Sequence, residues 1–170
     1  MQPDDATLKT LAEEVGKRLQ AKKLSLATAE SCTGGWIAKV ITDVPKSSGW
    51  LERGFVTYSN ESKVAMLGVR QASLDAHGAV SEPVAREMAE GAAHWSRAQV
   101  AVAVTGIAGP DTSEHKPVGM VWIAWRWAEG RVETRLFQFS GDRESVRRQT
   151  VLAALEGLKT GLGGKFEVNY

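Results

Sequence analysis

One cysteine in 170 residues, Cys32, leaves no partner for an intramolecular disulfide and no CxxC pair for a structural zinc site. Charge of one sign is also lacking. Lys and Arg number 21 against 20 Asp and Glu, a net charge of +1, which supplies no broad field for nucleic acid or an acidic membrane. The longest uncharged run, residues 98–110, is too short and too rich in glycine to cross a bilayer. The opening Met1-Gln2-Pro3-Asp4-Asp5 has neither the basic flank nor the apolar run of a secretory signal. Neither a GxGxxG nor a GxxxxGKS/T motif occurs, so Rossmann and P-loop assignments fail, and there is no internal repeat or low-complexity tract. These absences lead to the expectation of a soluble, cytoplasmic, single-domain protein over residues 1–170, with residues 1–6 a flexible tail. The expected partners include no nucleic acid and no membrane, and the expected cofactor content is none.

What is present is a globular composition, 43% hydrophobic, with helical and strand periods in alternation. Leu8, Leu11, Val15 and Leu19 recur at helical spacing, and Lys17, Arg18, Lys22 and Lys23 gather where the macrodipole favours cations. A strand from Leu24 to Ala29 runs into Ser31-Cys32-Thr33-Gly34-Gly35, and a second helix covers about Gly34 to Thr42. Arg53 to Tyr58 reads as a strand, and Asn60 as the N-cap of a short helix. Gln71 to His77 reads as a helix ended by Gly78. Ser81 caps a longer one with Val84, Met88, Ala92 and Trp95 on one face. Gln99 to Thr105 is a near-continuous apolar run, the mark of a strand covered on both faces. Gly119 to Trp127 and Arg131 to Phe139 form a hairpin, with Trp125 and Trp127 on one face and Trp122 on the other. Asp142 caps a last helix with Val151, Leu155 and Leu158 as its buried stripe. Strands interleaved with helices, plus a late hairpin, predict an α/β protein: a three-layer α/β/α sandwich around a mixed sheet.

Two strands end in small-residue loops, Ser31 to Gly35 and Thr105-Gly106-Ile107-Ala108-Gly109. Carboxyl ends of strands frame the ligand crevice in open α/β sheets, and helix N-termini there offer N–H groups to an anion. Ser31, at a strand-to-helix turn, is either a nucleophile or simply the N-cap of the second helix; local sequence alone favours the cap. The three histidines, His77, His94 and His115, give a Ser-His-Asp triad little support. Lys63, just beyond a strand end, is the alternative base, and that role requires burial to lower its pKa. Tyr58 could relay a proton or hold the ammonium. Arg143, Arg147 and Arg148 crowd the start of the last helix, where Arg143 suits a phosphate if it points inward; otherwise they are a charged face paired with Asp142 and Glu144. The aromatic hairpin is core or a subunit interface, which makes a homodimer an expectation.

Six blocks, in order, resemble the C-terminal domain family of the competence/damage-inducible protein CinA. They are Ala29-Glu30-Ser31-Cys32-Thr33-Gly34-Gly35, Phe55-Val56-Thr57-Tyr58-Ser59-Asn60 with Lys63, His77-Gly78-Ala79-Val80-Ser81, Thr105-Gly106-Ile107-Ala108-Gly109-Pro110, Lys116-Pro117-Val118-Gly119 and Ser140-Gly141-Asp142-Arg143. The resemblance implies a small-molecule substrate, nicotinamide mononucleotide. It implies hydrolysis of its carboxamide to nicotinate mononucleotide and ammonia in pyridine nucleotide salvage, without a cofactor. It implies Ser31 as nucleophile, Lys63 as base and Tyr58 as relay or orienting group. Thr33, Gly34, Gly35, Thr105 and Gly106 would line the ligand site, and Arg143 would contact phosphate. Cys32, adjacent to Ser31, would be a packing residue. Family members carry glycines after Gly109-Pro110-Asp111, whereas Thr112-Ser113-Glu114-His115 lead to Lys116 here. A pyridine-nucleotide-binding regulatory module without turnover is the alternative reading, and a role in DNA uptake or repair a more distant one.

Overall fold

The computed structural model describes residues 2–163. Its elements, in order, are α1 (Asp5–Lys22), β1 (Leu26–Glu30), α2 (Trp36–Thr42), β2 (Leu51–Val56), α3 (Asn60–Leu67), α4 (Gln71–His77), α5 (Glu82–His94), β3 (Val100–Gly106), β4 (Met120–Arg126), β5 (Val132–Gln138) and α6 (Arg143–Leu162). One mixed sheet of five strands runs β2-β1-β3-β4-β5. Strands β1 and β2, and β1 and β3, pair in parallel, while β3–β4–β5 form an antiparallel meander.

The period-two pattern of β3 decides the layering. Val100, Val102 and Val104 enter a cluster with Leu8, Leu19, Ile37, Ile41 and Leu155, drawn from α1, α2 and α6. Ala101 and Ala103 face the opposite layer, with Val84, Met88 and Ala92 of α5. β1 repeats this division: Leu26 lies with the first cluster, and Ala27 and Ala29 with the second. Alanine on one face packs against α5, while branched side chains fill the layer opposite. The three-layer sandwich with a mixed sheet is therefore as expected.

Several boundaries differ from the sequence reading, each for a local reason. The first helix begins at Asp5, not beyond a flexible tail, because the Asp4 carboxylate accepts from Thr7 N–H at 2.7 Å and caps it; Met1 and residues 164–170 lie outside the described residues. α2 starts at Trp36 because Gly34 and Gly35 turn with φ of +60° and +101°. Ser59, not Asn60, caps α3, its hydroxyl accepting from Ser62 N–H at 3.1 Å. β2 ends at Val56, which leaves Tyr58 beyond the strand. Trp95 follows the last residue of α5 and is 57% exposed, off the buried stripe of that helix. The hairpin tryptophans behave as core: Trp125 and Trp127 are buried, and Trp122 packs against the opposite cluster. Among the described residues no helix is long and apolar enough to cross a membrane.

Candidate active site

The carboxyl ends of the three parallel strands meet at one edge. Glu30 stands opposite both Val56 and Val104 in the two parallel pairings, so Ser31, Thr57 and Thr105 are the next residues of three adjacent strands. Backbone bonds extend beyond the strand ends, from Thr57 N–H to Glu30 O at 2.9 Å and from Ser31 N–H to Val104 O at 3.1 Å. Alternation then settles orientation. Glu30 points toward α2, and Ser31 toward the layer that holds α3.

Lys63 completes the arrangement. In the short helix α3 only Lys63 and Leu67, one turn apart, are buried. The Lys63 side chain is 1% exposed, and its Nζ lies 3.0 Å from Ser31 Oγ and 2.9 Å from Thr57 O. Burial pushes the Lys63 pKa down by disfavouring the ammonium, while the Cys32 and Glu114 charges pull the other way. An ammonium there donates to both oxygens. A neutral amine accepts the Ser31 hydroxyl proton while still donating to Thr57 O, which is the geometry of a nucleophile and its base.

Cys32 also borders the cavity described below, but its side chain is packed away. It belongs to the apolar cluster against α1, α2 and α6, and burial foremost pushes its thiol up to about 12. At neutral pH the sulfur is a thiol, a poor nucleophile.

Ser31, Lys63, Tyr58, Thr105, Gly106 and Arg143 all line one cavity of about 490 Å³, a size suited to a small molecule. The Tyr58 hydroxyl does not pair with Ser31 or Lys63 but accepts from Arg143 Nη2 at 3.1 Å, with its side chain largely exposed at the cavity mouth. Arg143 Nη1 donates to Gly109 O at 2.7 Å, so the arginine does point inward, joining α6 to the second glycine loop. Thr105 Oγ1 donates to Ala79 O at 2.9 Å. Thr33, Gly34 and Gly35 are not among the lining residues. Thr33 is buried beneath the turn, Gly34 is exposed, and Gly35 packs against Val56. No histidine side chain lines the cavity. His94 sits edge-on to Trp95, and His77 contributes its carbonyl to Lys116 Nζ at 2.7 Å.

Sequence reasoning missed two supports of the turn. Glu30, fully buried, accepts from Thr33 Oγ1 at 2.6 Å, Ile37 N–H at 2.8 Å and Ala38 N–H at 3.1 Å. It caps α2, whose own N-cap, Gly35, has no side chain to do so. Burial raises the Glu30 pKa against the pull of these donors. Arg147, noticed only as part of a basic cluster, donates from Nε to Cys32 O at 3.0 Å and from Nη2 to Thr33 O at 3.1 Å. Because a trans peptide points its N–H away from its C=O, Arg147 directs Thr33 N–H away from α6. Arg148 fits the surface reading, paired with Glu144 at 2.9 Å and Asp5 at 2.7 Å. Among the described residues, no three His, Cys, Asp or Glu side chains converge as a metal site.

A sequence model described as the CinA C-terminal domain matches residues 8–162. A protein of Escherichia coli strain K12 named nicotinamide-nucleotide amidohydrolase PncC is 58% identical over 155 residues, which cover 91% of this chain and 94% of that protein. One of the same name from Pseudomonas putida is 54% identical over 151 residues, 88% of this chain and 93% of its own length. A crystal structure titled competence/damage inducible protein CihA, from Agrobacterium tumefaciens, superposes with a TM-score of 0.88 at 43% identity, covering 95% of this chain and 98% of that one.

Proposed function

On the premise that the chain belongs to the CinA C-terminal domain family, we propose that it is a nicotinamide-nucleotide amidohydrolase, converting nicotinamide mononucleotide to nicotinate mononucleotide and ammonia. The observation that carries the mechanism is the buried Lys63 Nζ at 3.0 Å from Ser31 Oγ. Neutral Lys63 removes the hydroxyl proton as Ser31 Oγ attacks the carboxamide carbon. The tetrahedral oxyanion is held by N–H groups of the turn after β1. Ser31 N–H and Gly34 N–H are engaged with Val104 O and Ser31 O, so that role falls to the N–H groups between them. The Lys63 ammonium returns the proton to the departing nitrogen, and ammonia leaves. Water, deprotonated by the same amine, then hydrolyses the ester formed on Ser31.

The inward course of Arg143 supports it as the phosphate contact, with its Tyr58 partner orienting the guanidinium at the cavity mouth. The bond from Arg143 supports a positioning role for Tyr58 over proton relay. Thr105 and Gly106 belong to the cavity wall; Thr33, Gly34 and Gly35 act through their backbone. The place of the reaction is pyridine nucleotide salvage. The expected homodimer keeps one point of support, Leu136, 47% exposed on the edge strand β5.

Ammonia release from nicotinamide mononucleotide tests the reading. Ser31→Ala is expected to lower kcat at least about a thousandfold, and Cys32→Ala to retain turnover. Binding of the nucleotide without ammonia release would instead favour a regulatory module.

A further inference from the structure

We propose that Glu114 determines which ring the cavity accepts: its carboxylate forms the acidic wall of the Ser31 cavity and selects an amide carried on a positively charged pyridinium ring over one carried on an uncharged ring. The inference deepens the amidase reading and rests on it.

Among the described residues that line the cavity, Lys63 and Arg143 carry the basic groups and Glu114 the one carboxylate. The Glu114 side chain is three-quarters buried, 25% exposed. Its two oxygens lie 3.4 and 3.2 Å from Val80 N–H, on the backbone that forms one side of the cavity. Gly78 makes this placement possible, since a Cβ there would sit 1.7 Å from Glu114 Oε1. Glu114 and His115 both hold φ of +57°, a left-handed conformation that residues with side chains seldom take, so the backbone turns sharply to deliver this carboxylate.

Glu114 is not the sole anchor of the segment. Lys116 Nζ donates to His77 O at 2.7 Å and to Val80 O at 2.6 Å, and reaches Glu114 Oε1 only at 3.7 Å. One backbone N–H and one more distant ammonium leave most acceptor positions of the carboxylate open.

A quaternary pyridinium nitrogen has no proton to donate, so it is recognised by charge, and a partly buried carboxylate is its complement. The phosphate of the same molecule needs the opposite sign, supplied by Arg143, which is bonded to other segments of the wall. A cavity with cation and anion on separate segments matches a substrate that carries both charges.

Calorimetric binding to the Ser31→Ala protein, which prevents turnover, provides the test. The ligands are nicotinamide mononucleotide and its 1,4-dihydro form, which share carboxamide, ribose and phosphate and differ in ring charge. We expect the oxidised form to bind about tenfold more tightly, equivalent to about 1.4 kcal/mol. Adding Glu114→Gln, which keeps an acceptor for Val80 N–H, is expected to abolish the preference by weakening the oxidised form alone. Without any Glu114 variant, rising salt is expected to shrink the preference. Equal binding of the two forms by the Ser31→Ala protein, or an undiminished preference after Glu114→Gln, overturns the proposal. Equal weakening of both forms also overturns it and marks Glu114 as an anchor of the loop. Ammonia release by the unsubstituted protein is scored separately. Its absence with the preference intact overturns the amidase reading, and its presence without a preference overturns this one.

Discussion

A lysine ammonium buried among apolar groups loses most of its hydration, and two oxygen acceptors return only part of it. Lys63 is in that position, held by Ser31 Oγ and Thr57 O. Its folded pKa is lowered, so the unfolded chain binds the proton more readily and stability rises with pH between the depressed value and the ordinary lysine value near 10.4. Below the depressed value the cost of the buried charge is present in full. Lys63→Met is therefore expected to abolish ammonia release while leaving the thermal midpoint unchanged or higher, an outcome that scanning calorimetry reads directly. In the unsubstituted protein, kcat/KM is expected to rise with pH through an apparent pKa below that of an ordinary lysine, as the amine loses its proton. The neighbourhood of Lys63 in sequence, Asn60-Glu61-Ser62, is polar and reads as solvated surface, so nothing local reveals the burial. Only its position just beyond β2 makes it a candidate. Glu30 was less legible still, because it caps a helix that begins six residues later, and that relation exists only once the turn has folded.

At the scale of elements, the alternation of valine and alanine along β3 sets how near each helical layer lies. Ala103 faces α5 with no space for a longer side chain, so Ala103→Leu is expected to cost about 1–3 kcal/mol by overpacking. Val102→Ala, on the other face, leaves a cavity and is expected to cost a similar amount by the opposite mechanism. Urea unfolding measures both, and activity separates them. The first displaces the layer that carries Lys63, whereas the second leaves it in place. This division was present in the sequence as an apolar run covered on both sides, and the hairpin was equally plain from Trp125, Trp127 and Trp122. Boundaries were less so where capping choices compete, as between Ser59 and Asn60, both good N-caps one residue apart.

At the scale of the molecule, the near-zero net charge agrees with a site whose electrostatics are local. Its charges come from three distant segments: Lys63 after β2, Glu114 between β3 and β4, and Arg143 at the start of α6. Sequence spacing could nominate each of these places, but the parallel order β2-β1-β3 is what gathers them at one edge. That order follows from long-range pairing, which a local pattern does not encode. Tyr58 is a similar case. It follows β2 closely enough to suggest a partner for Ser31, yet Arg143, which is 85 positions later, holds its hydroxyl.

The ladder bonds that continue past the ends of β1 and β2 give the site two clocks. Ser31 N–H and Thr57 N–H are tied to the central strands, so the nucleophile's backbone opens only when the sheet does. The segment around His115 is joined to Val80 by the side chains of Lys116 and Glu114 rather than by ladder bonds. Native-state hydrogen exchange is expected to show the Ser31 and Thr57 amides sharing the denaturant dependence of Val102, while His115 exchanges by brief local openings that denaturant barely affects. The atom that reacts would then stand still on the timescale of turnover, and the residues that choose the ring would be the ones that move to admit and release it.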